Sequence, residues 1–427
     1  MSNLEELTLN VLEKAIIDDC PAIRRITRLQ PAGGKGDKVF PPTYLKEGRA
    51  ETKYAFEKRR IDGEEITSVL LDSVASQANR MEEALLEGWQ RNELRRFPLV
   101  QVDFSAEDGL EDLEQITALQ ASHRIADALL RDSLLDGVPF RQTPIGKSFT
   151  DARTNHATAM YKYCPTALIF GVWDSTGPKG GLGAKFQRSV ASEIVAIGAL
   201  AGVKTASRID PAGIERKAGP IYRKADEDDW TADESEAKKD KKGAAELFSR
   251  SGAEGKGQPS TINHGNIPPS IDHESGGITF DYAIQTSVLS LPALRRLRFR
   301  DDVNGNPLPP DLRSAAEDAA RTALAALALA AFAYQEAQGY DLRSRSLLVT
   351  ESGGALELLS RDDSEPKRYK LSKDGAAKLL ADAVEKAAEL GLGWDPKPVT
   401  LIPAPKLSHL IRKSREQVQA GEIEVGE

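Results

Sequence analysis

Three features of the 427-residue chain predict an α+β fold. Residues 22–29 alternate with period two, residues 312–338 form a long alanine-rich helical stretch, and strand-like and helix-like runs are mixed and separated by long insertions. No internal repeat of 20–50 residues is visible.

Taken in order, residues 4–17 read as an amphipathic stretch leading through Cys20 and Pro21 into the alternating run. There Ile23, Arg25, Thr27 and Leu29 share one face of an extended chain, and Arg24, Ile26 and Arg28 share the other. The strand ends at Pro31, and a loop rich in Gly, Lys and Pro covers 32–44. Apolar residues at Ile66, Val69, Leu70, Val74, Ala78, Met81, Leu85 and Leu86 predict a helix over 65–89, and a second helix is predicted over 116–135. Residues 165–173 read as a buried strand, 174–184 as a glycine-rich loop, 185–200 as a helix and 203–209 as a strand. The charged stretch 224–260 has little to bury and reads as a solvated, mobile insertion. One or two strands are predicted over 277–291, strands near 346–350 and 355–359, and a last helix over 372–390.

Two cysteines, Cys20 and Cys164, outside any Cys-x-x-Cys pair, argue for a reducing compartment and against a structural zinc site. The N-terminus lacks a signal-peptide pattern, and the longest apolar run, 323–334, falls short of the about 20 residues a bilayer needs. A soluble cytoplasmic protein is expected. The net charge of −8 excludes nucleic-acid binding by bulk charge, but not a local basic groove. Residues 22–60 hold eleven Lys/Arg against four Asp/Glu, whereas 226–242 hold four Lys against eight acids.

The loop from Gly177 to Arg188 resembles a phosphate-binding loop in setting but fails G-x-x-x-x-G-K-[ST]. Ala184 separates Gly183 from Lys185, and Phe186 stands where a magnesium-binding hydroxyl is required. That excludes a triphosphatase and leaves two readings: a helix N-terminus where Lys185 and Arg188 flank a phosphate, or a turn with solvated charges. Gln77 and Arg80 lie one helical turn apart, beside Asn79, with a solvated helix face as the plain alternative. Arg24, Arg28, Lys35 and Lys38, with Phe40, Tyr44 and Tyr54 nearby, suit single-stranded nucleic acid or else a solvated edge strand. Arg295, Arg296, Arg298 and Arg300 could touch phosphate or pair with Asp301 and Asp302. No catalytic motif surrounds His123, His156, His264 or His273, and Asp103, Asp174 and Asp210 each end a strand-like run, where turn capping competes with catalysis.

An ordered set of stretches carries a resemblance to a known family. They are Thr27-Arg-Leu-Gln-Pro-Ala-Gly-Gly34, Lys38-Val-Phe-Pro-Pro-Thr-Tyr44, Asp72-Ser-Val-Ala-Ser-Gln-Ala-Asn-Arg-Met-Glu82 and His123-Arg-Ile-Ala-Asp-Ala-Leu-Leu-Arg131. They continue with Cys164-Pro-Thr-Ala-Leu-Ile-Phe-Gly-Val-Trp-Asp-Ser-Thr-Gly177, Lys185-Phe-Gln-Arg188, Ser207-Arg-Ile-Asp-Pro211 and His264-Gly-Asn-Ile-Pro-Pro269. Together they resemble the RAMP-superfamily backbone subunit (Cas-seven family) of type I-U/I-G CRISPR effector (Cascade) complexes in antiviral defence. The resemblance implies an RRM-like (ferredoxin-like) palm over 15–405 with finger and thumb insertions. Residues 212–280 are the candidate thumb, and 406–427 a charged tail. It implies a non-catalytic homo-oligomer that polymerises along a CRISPR guide RNA and presents it to a target DNA strand. Its other partners would be a guide-end-binding and processing subunit and a large subunit, with no membrane, metal or cofactor. The matching stretches add Arg208 and His264 to the RNA-binding candidates. The competing readings are a metal-dependent, target-RNA-cleaving subunit like those of type III complexes, using Asp174 or Asp210, and a protein scaffold without RNA.

Overall fold

The computed structural model describes residues 4–18, 20–46, 48, 51–177, 183–215, 217–225, 229–249, 257–362 and 364–419. The chain forms two compact units, one of Met1–Pro42, Ala55–Ala199 and Phe280–Glu416, the other of Thr43–Tyr54, Leu200–Thr279 and Gln417–Glu427.

In the first unit, helix α1 (Leu9–Ile17) precedes strand β1 (Ala22–Pro31), whose alternation is the one read from the sequence. Ile23, Arg25, Thr27 and Leu29 are buried, while Arg24, Ile26 and Arg28 face outward. Then come β2 (Phe56–Ile61), β3 (Glu64–Asp72), α2 (Val74–Gln90), β4 (Val190–Ile197), β5 (Tyr282–Ser290), α3 (Pro310–Gln338), β6 (Leu347–Leu358) and α4 (Lys373–Glu389). They build an antiparallel sheet in the order β6-β1-β5-β4-β3-β2, extended by short strands Tyr340–Asp341 and Lys367–Tyr369 that both pair with β6.

α3 is buried from Ala319 to Gln335 because alanine lets neighbouring helices close in from every side, and α1, α2 and α4 all pack on it. Between this helical layer and the sheet runs a polar seam. Gln77 Nε2 donates to Asp72 Oδ2 at 2.6 Å, while Gln77 Oε1 accepts from Ser192 at 3.0 Å and from Gln285 at 2.8 Å. Gln285 also donates to Gln335, and Tyr340 OH donates to Gln285. Such a network fixes the register of helix on sheet, since each unpaired buried amide would carry a desolvation cost.

Several sequence expectations give way. Residues 64–72 are strand β3 rather than the first half of a helix; Ser73 accepts from Ser76 N and starts α2 at Val74. The predicted helix 116–135 is broken into strand Gln115–Thr117, turn Arg124–Ala126, short helix Ala128–Arg131 and strand Ser133–Leu135. These strands join Val100–Asp103, Val138–Pro139 and Val399–Pro403 in a second sheet. The buried run 165–173 is helix Thr166–Phe170 followed by Val172–Trp173. The predicted helix 185–200 is instead strands Lys185–Phe186 and β4, which is buried throughout its second half, Ile194–Ile197. A helix, Pro405–Gln419, occupies most of the expected charged tail, and residues 420–427 lie outside the described ones.

In the second unit, Lys204–Arg208 pairs with Ile267–Asp272 as a two-stranded ribbon. Ile267 and Ile271 are exposed on it, and Ile209 just past its end. The charged stretch 224–260 is not shapeless where described: Tyr222–Arg223 pairs with Trp230–Thr231, and Ile221, Ala237 and Phe248 are buried. Its residues 226–228 and 250–256 lie outside the described ones.

Candidate nucleic-acid interface

Of the sequence-predicted cations, Lys185 and Arg188 come together at one groove of about 460 Å³, lined by Ser122, His123, Arg124, Trp173, Lys185 and Arg188 among others. Val172–Trp173 and Lys185–Phe186 form a short antiparallel ribbon that places Trp173 directly opposite Lys185. Lys185 Nζ lies 5.0 Å from the centre of the Trp173 ring, and that ring is 56 % exposed. The ribbon's closing loop includes 178–182, outside the described residues, so Gly180 and Gly181 of the glycines read as a phosphate cradle lie outside them. The helix dipole invoked for this site is absent: Lys185 and Arg188 stand on and beside strands.

Arg188 is half-buried and has no hydrogen bond or ion pair among the described residues. Burial and the nearby Arg124 charge hold its guanidinium below the usual arginine range. Gly171 makes this approach possible. At φ +83° its missing Cβ would sit 3.0 Å from the Arg188 backbone nitrogen, so a side chain there would push Arg188 away. Arg124 adopts φ +52°, uncommon for a non-glycine residue, and is held by Glu82. Its Nε lies 2.6 Å from Glu82 Oε1 and its Nη2 2.8 Å from Oε2, and Nη1 reaches Gly171 O at 3.4 Å. The result is an exposed aromatic face, a lysine and an arginine without ion-pair partners among the described residues, and a second arginine behind them. That set can bind a phosphodiester and stack a base.

The basic strand behaves differently. Arg24 donates twice to Glu357, at 2.7 and 2.9 Å. Arg28 donates to Glu351 at 2.7 Å and lies over the Tyr282 ring at 3.8 Å, and Lys35 approaches the same Glu351 at 3.6 Å. Lys38 is half-buried, its backbone N–H donating to Asp37. Of the aromatics read beside these cations, Phe40 is covered by Arg345 at 4.1 Å, and Tyr54 is buried with its hydroxyl accepting from Gly277 N.

The remaining candidates are dispersed. Gln77 is fully buried in the seam under the sheet, a correction to its reading as an RNA contact. Arg80 clasps Asp72 at 3.0 Å and the carbonyls of Asp341 and Leu342, a structural job. Asn79 is exposed and lines a neighbouring polar cavity of about 500 Å³ with Glu83, Gln90, Gln120, Ser122 and Gln338. Arg208 and His264 belong to the second unit: Arg208 donates to Gly265 O at 3.0 Å, and the His264 ring meets Asp210 at 3.3 Å. Arg295 donates to the carbonyls of Ala15, Ile16 and Cys20, closing the C-terminal end of α1.

The strand-end aspartates are engaged. Asp174 accepts from Arg141 at 2.7 Å; Asp103 accepts from Ser105 and Gln115. Asp210 accepts from the backbone N–H groups of Gly265, Ala212 and Ile214, which pull its carboxyl down to about 2. Among the described residues no group of three or more His, Cys, Asp or Glu converges to hold a metal ion, and no helix is long and apolar enough to cross a membrane. The sequence reading missed Trp173 and Glu82 as individual groups; the one available signal was a tryptophan closing an apolar run.

Comparison with known proteins places part of the chain. Residues 23–201 match the family described as CRISPR-associated protein GSU0053, which bears out the CRISPR-associated resemblance over that stretch. All the groove residues named above fall inside it. No curated protein matches the chain. Among solved structures, Csc2 from Thermofilum pendens aligns over 97 % of this chain and 94 % of that one, at 12 % identity and a TM-score of 0.27. That likeness is too loose to argue from.

Proposed function

We propose that the chain is a non-catalytic backbone subunit of a type I CRISPR effector, and that it holds the sugar–phosphate backbone of a guide RNA at the Trp173–Lys185–Arg188 groove. The observation that carries this reading is Arg188. A half-buried guanidinium with no hydrogen bond or ion pair among the described residues, whose nearby carboxylate Glu82 is spent on Arg124, is costly unless an anion completes it. Lys185 supplies a second charge and Trp173 a stacking face, and neither supplies hydrolytic chemistry. The guide would be read by base pairing with target DNA while the protein recognises backbone and shape.

The palm would be RRM-like. In its support, the strands that follow one another as β1, β4, β5 and β6 lie in the order β6-β1-β5-β4, with α2 between the first two and α3 between the last two. The second unit, with isoleucines exposed on its ribbon, would be the thumb, and copies of the chain would stack head to tail along the guide.

Two measurements test this. Protein expressed with a CRISPR array should purify with RNA, giving a high ratio of absorbance at 260 to 280 nm, and K185A with R188A should lower that ratio. A protein-only spectrum from the wild type overturns the reading. Incubation of the complex with complementary RNA and magnesium should leave the RNA intact; periodic cleavage lost in D174N would replace the proposal with the target-cleaving alternative.

A further inference from the structure

Glu82 is a group buried behind the groove, against its lining residue Arg124, that guide binding as described leaves unused. It is 1 % exposed, yet it is a carboxylate, and both of its oxygens are spent on Arg124. Arg124 lines the groove beside Arg188, but two of its nitrogens are turned inward to Glu82. Its third contact, to Gly171 O at 3.4 Å, is long for a hydrogen bond. Arg124 is therefore at the right place to take a phosphate and occupied by a competitor.

The groups facing Glu82 come from three elements. They are the charges of Arg124 from the turn Arg124–Ala126 and Arg188 from the segment leading into β4, and the neutral, buried Cys164 thiol at the end of helix Thr158–Tyr163. His123 lines the same groove. With Glu82 ionised, the Glu82–Arg124–Arg188 cluster carries one net positive charge. A phosphodiester brought against both arginines would sit beside a buried carboxylate, and two anions in one low-dielectric site repel strongly. Proton uptake by Glu82 removes that repulsion and frees the Arg124 fork. Burial pushes the Glu82 carboxyl up to about 7 even with Arg124 opposing, so a proton is available near neutral pH.

We propose that Glu82 is a positioning residue for the groove: it holds Arg124 in the free protein and yields it to an RNA phosphate by taking one proton from solvent. The inference rests on the guide-binding reading of this groove. Its signature is proton-linked binding, with affinity about tenfold lower at pH 8 than at pH 6, because the free carboxyl loses its proton across that range while the bound one keeps it.

The test uses the full-length protein and an oligouridylate without terminal phosphate. Titration calorimetry in two buffers of different ionisation enthalpy reads the protons taken up on binding, at pH 6, 7 and 8. The expected result is uptake near half a proton at pH 7, rising towards pH 8. Histidine also titrates near neutrality, so the uptake must persist in His123→Gln and disappear in Glu82→Gln, whose affinity should be independent of pH. If Glu82→Gln does not fold, the wild type and His123→Gln still decide. Binding without proton uptake, or uptake lost in His123→Gln, overturns the inference and leaves the guide-binding reading intact. Absence of binding at every pH overturns both.

Discussion

Arg24 and Arg28 on β1 and Lys185 and Arg188 at the groove are cations of the same unit, and from sequence alone they look alike. In the fold they differ in what meets them. Arg24 and Arg28 each find a carboxylate, Glu357 and Glu351, on the adjacent strand β6, and Arg28 also lies on Tyr282. Among the described residues Lys185 finds none and faces an exposed tryptophan instead, and the carboxylate near Arg188, Glu82, is spent on Arg124. A cation whose charge is already cancelled adds little to phosphate binding. One left bare and half-desolvated gains most from it. The difference teaches that local charge density in the sequence is a poor guide to an anion site, and that the missing counter-ion is the better one.

The largest separation between the regions should appear in guide-RNA affinity. K185A with R188A is expected to weaken binding roughly 10- to 100-fold, two charge-assisted contacts being lost. The salt dependence should flatten by about 1.4 in log–log slope, two phosphate contacts on a single strand. Filter binding across a salt series reads both. W173A comes next: loss of one stacked base is worth about 1–3 kcal/mol, and the salt slope should stay unchanged, which separates stacking from charge. Q77A marks the other side of the comparison. It strands Asp72, Ser192 and Gln285 in the seam and should cost about 1–3 kcal/mol of stability in a denaturant titration. The affinity of the folded fraction should be unaltered. The smallest effect is expected for R24A with R28A, less than about 1 kcal/mol in stability or affinity, as for other exposed ion pairs. Conversely, E351Q with E357Q would bare these two arginines and should raise non-specific RNA binding.

Acid–base behaviour sharpens the same contrast. Glu82 has its folded value raised from 4.5 to about 7, mainly by burial. Its contribution to stability is therefore fully present below about pH 4.5 and is lost as pH rises through 7. Glu351 is shifted the other way, held below the usual carboxylate range chiefly by its hydrogen bond to Arg28. Its contribution is present at neutral pH and fades on acidification. Denaturation midpoints of E82Q against the wild type from pH 4 to 8 should show the wild type losing ground as pH rises; a constant difference would contradict the assignment.

The parts of the fold that were legible in the sequence are those where one local rule dominates. β1 alternates cleanly because one face is buried and the other is not. α3 declares itself by length and alanine content, and α4 by its start after Ser372, whose hydroxyl accepts from Gly375 N. The first part of the helix expected over 65–89 and the whole of that over 185–200 failed because a run apolar on both faces satisfies a helical and an extended pattern equally. In β4, Val190, Ile194, Val195, Ala196 and Ile197 are all buried, which erases the alternation. The site was half legible. Lys185 and Arg188 stood out beside glycines, but the supposed helix end did not exist, and Gln77 looked available because its partners Ser192 and Gln285 lie 115 and 208 residues away. The excess of positive charge over 22–60 dissolves for the same reason: the acids that answer Arg24 and Arg28 lie 333 and 323 residues further on.

The central claim is that the bare cations beside Trp173 grip the guide. Ultraviolet cross-linking of the assembled protein to its guide RNA, followed by mass spectrometry of the digested peptides, tests it most directly. The account predicts a nucleotide attached at Trp173. Cross-links confined to Tyr282 and the outer face of β1, with Trp173 unmodified, would contradict it.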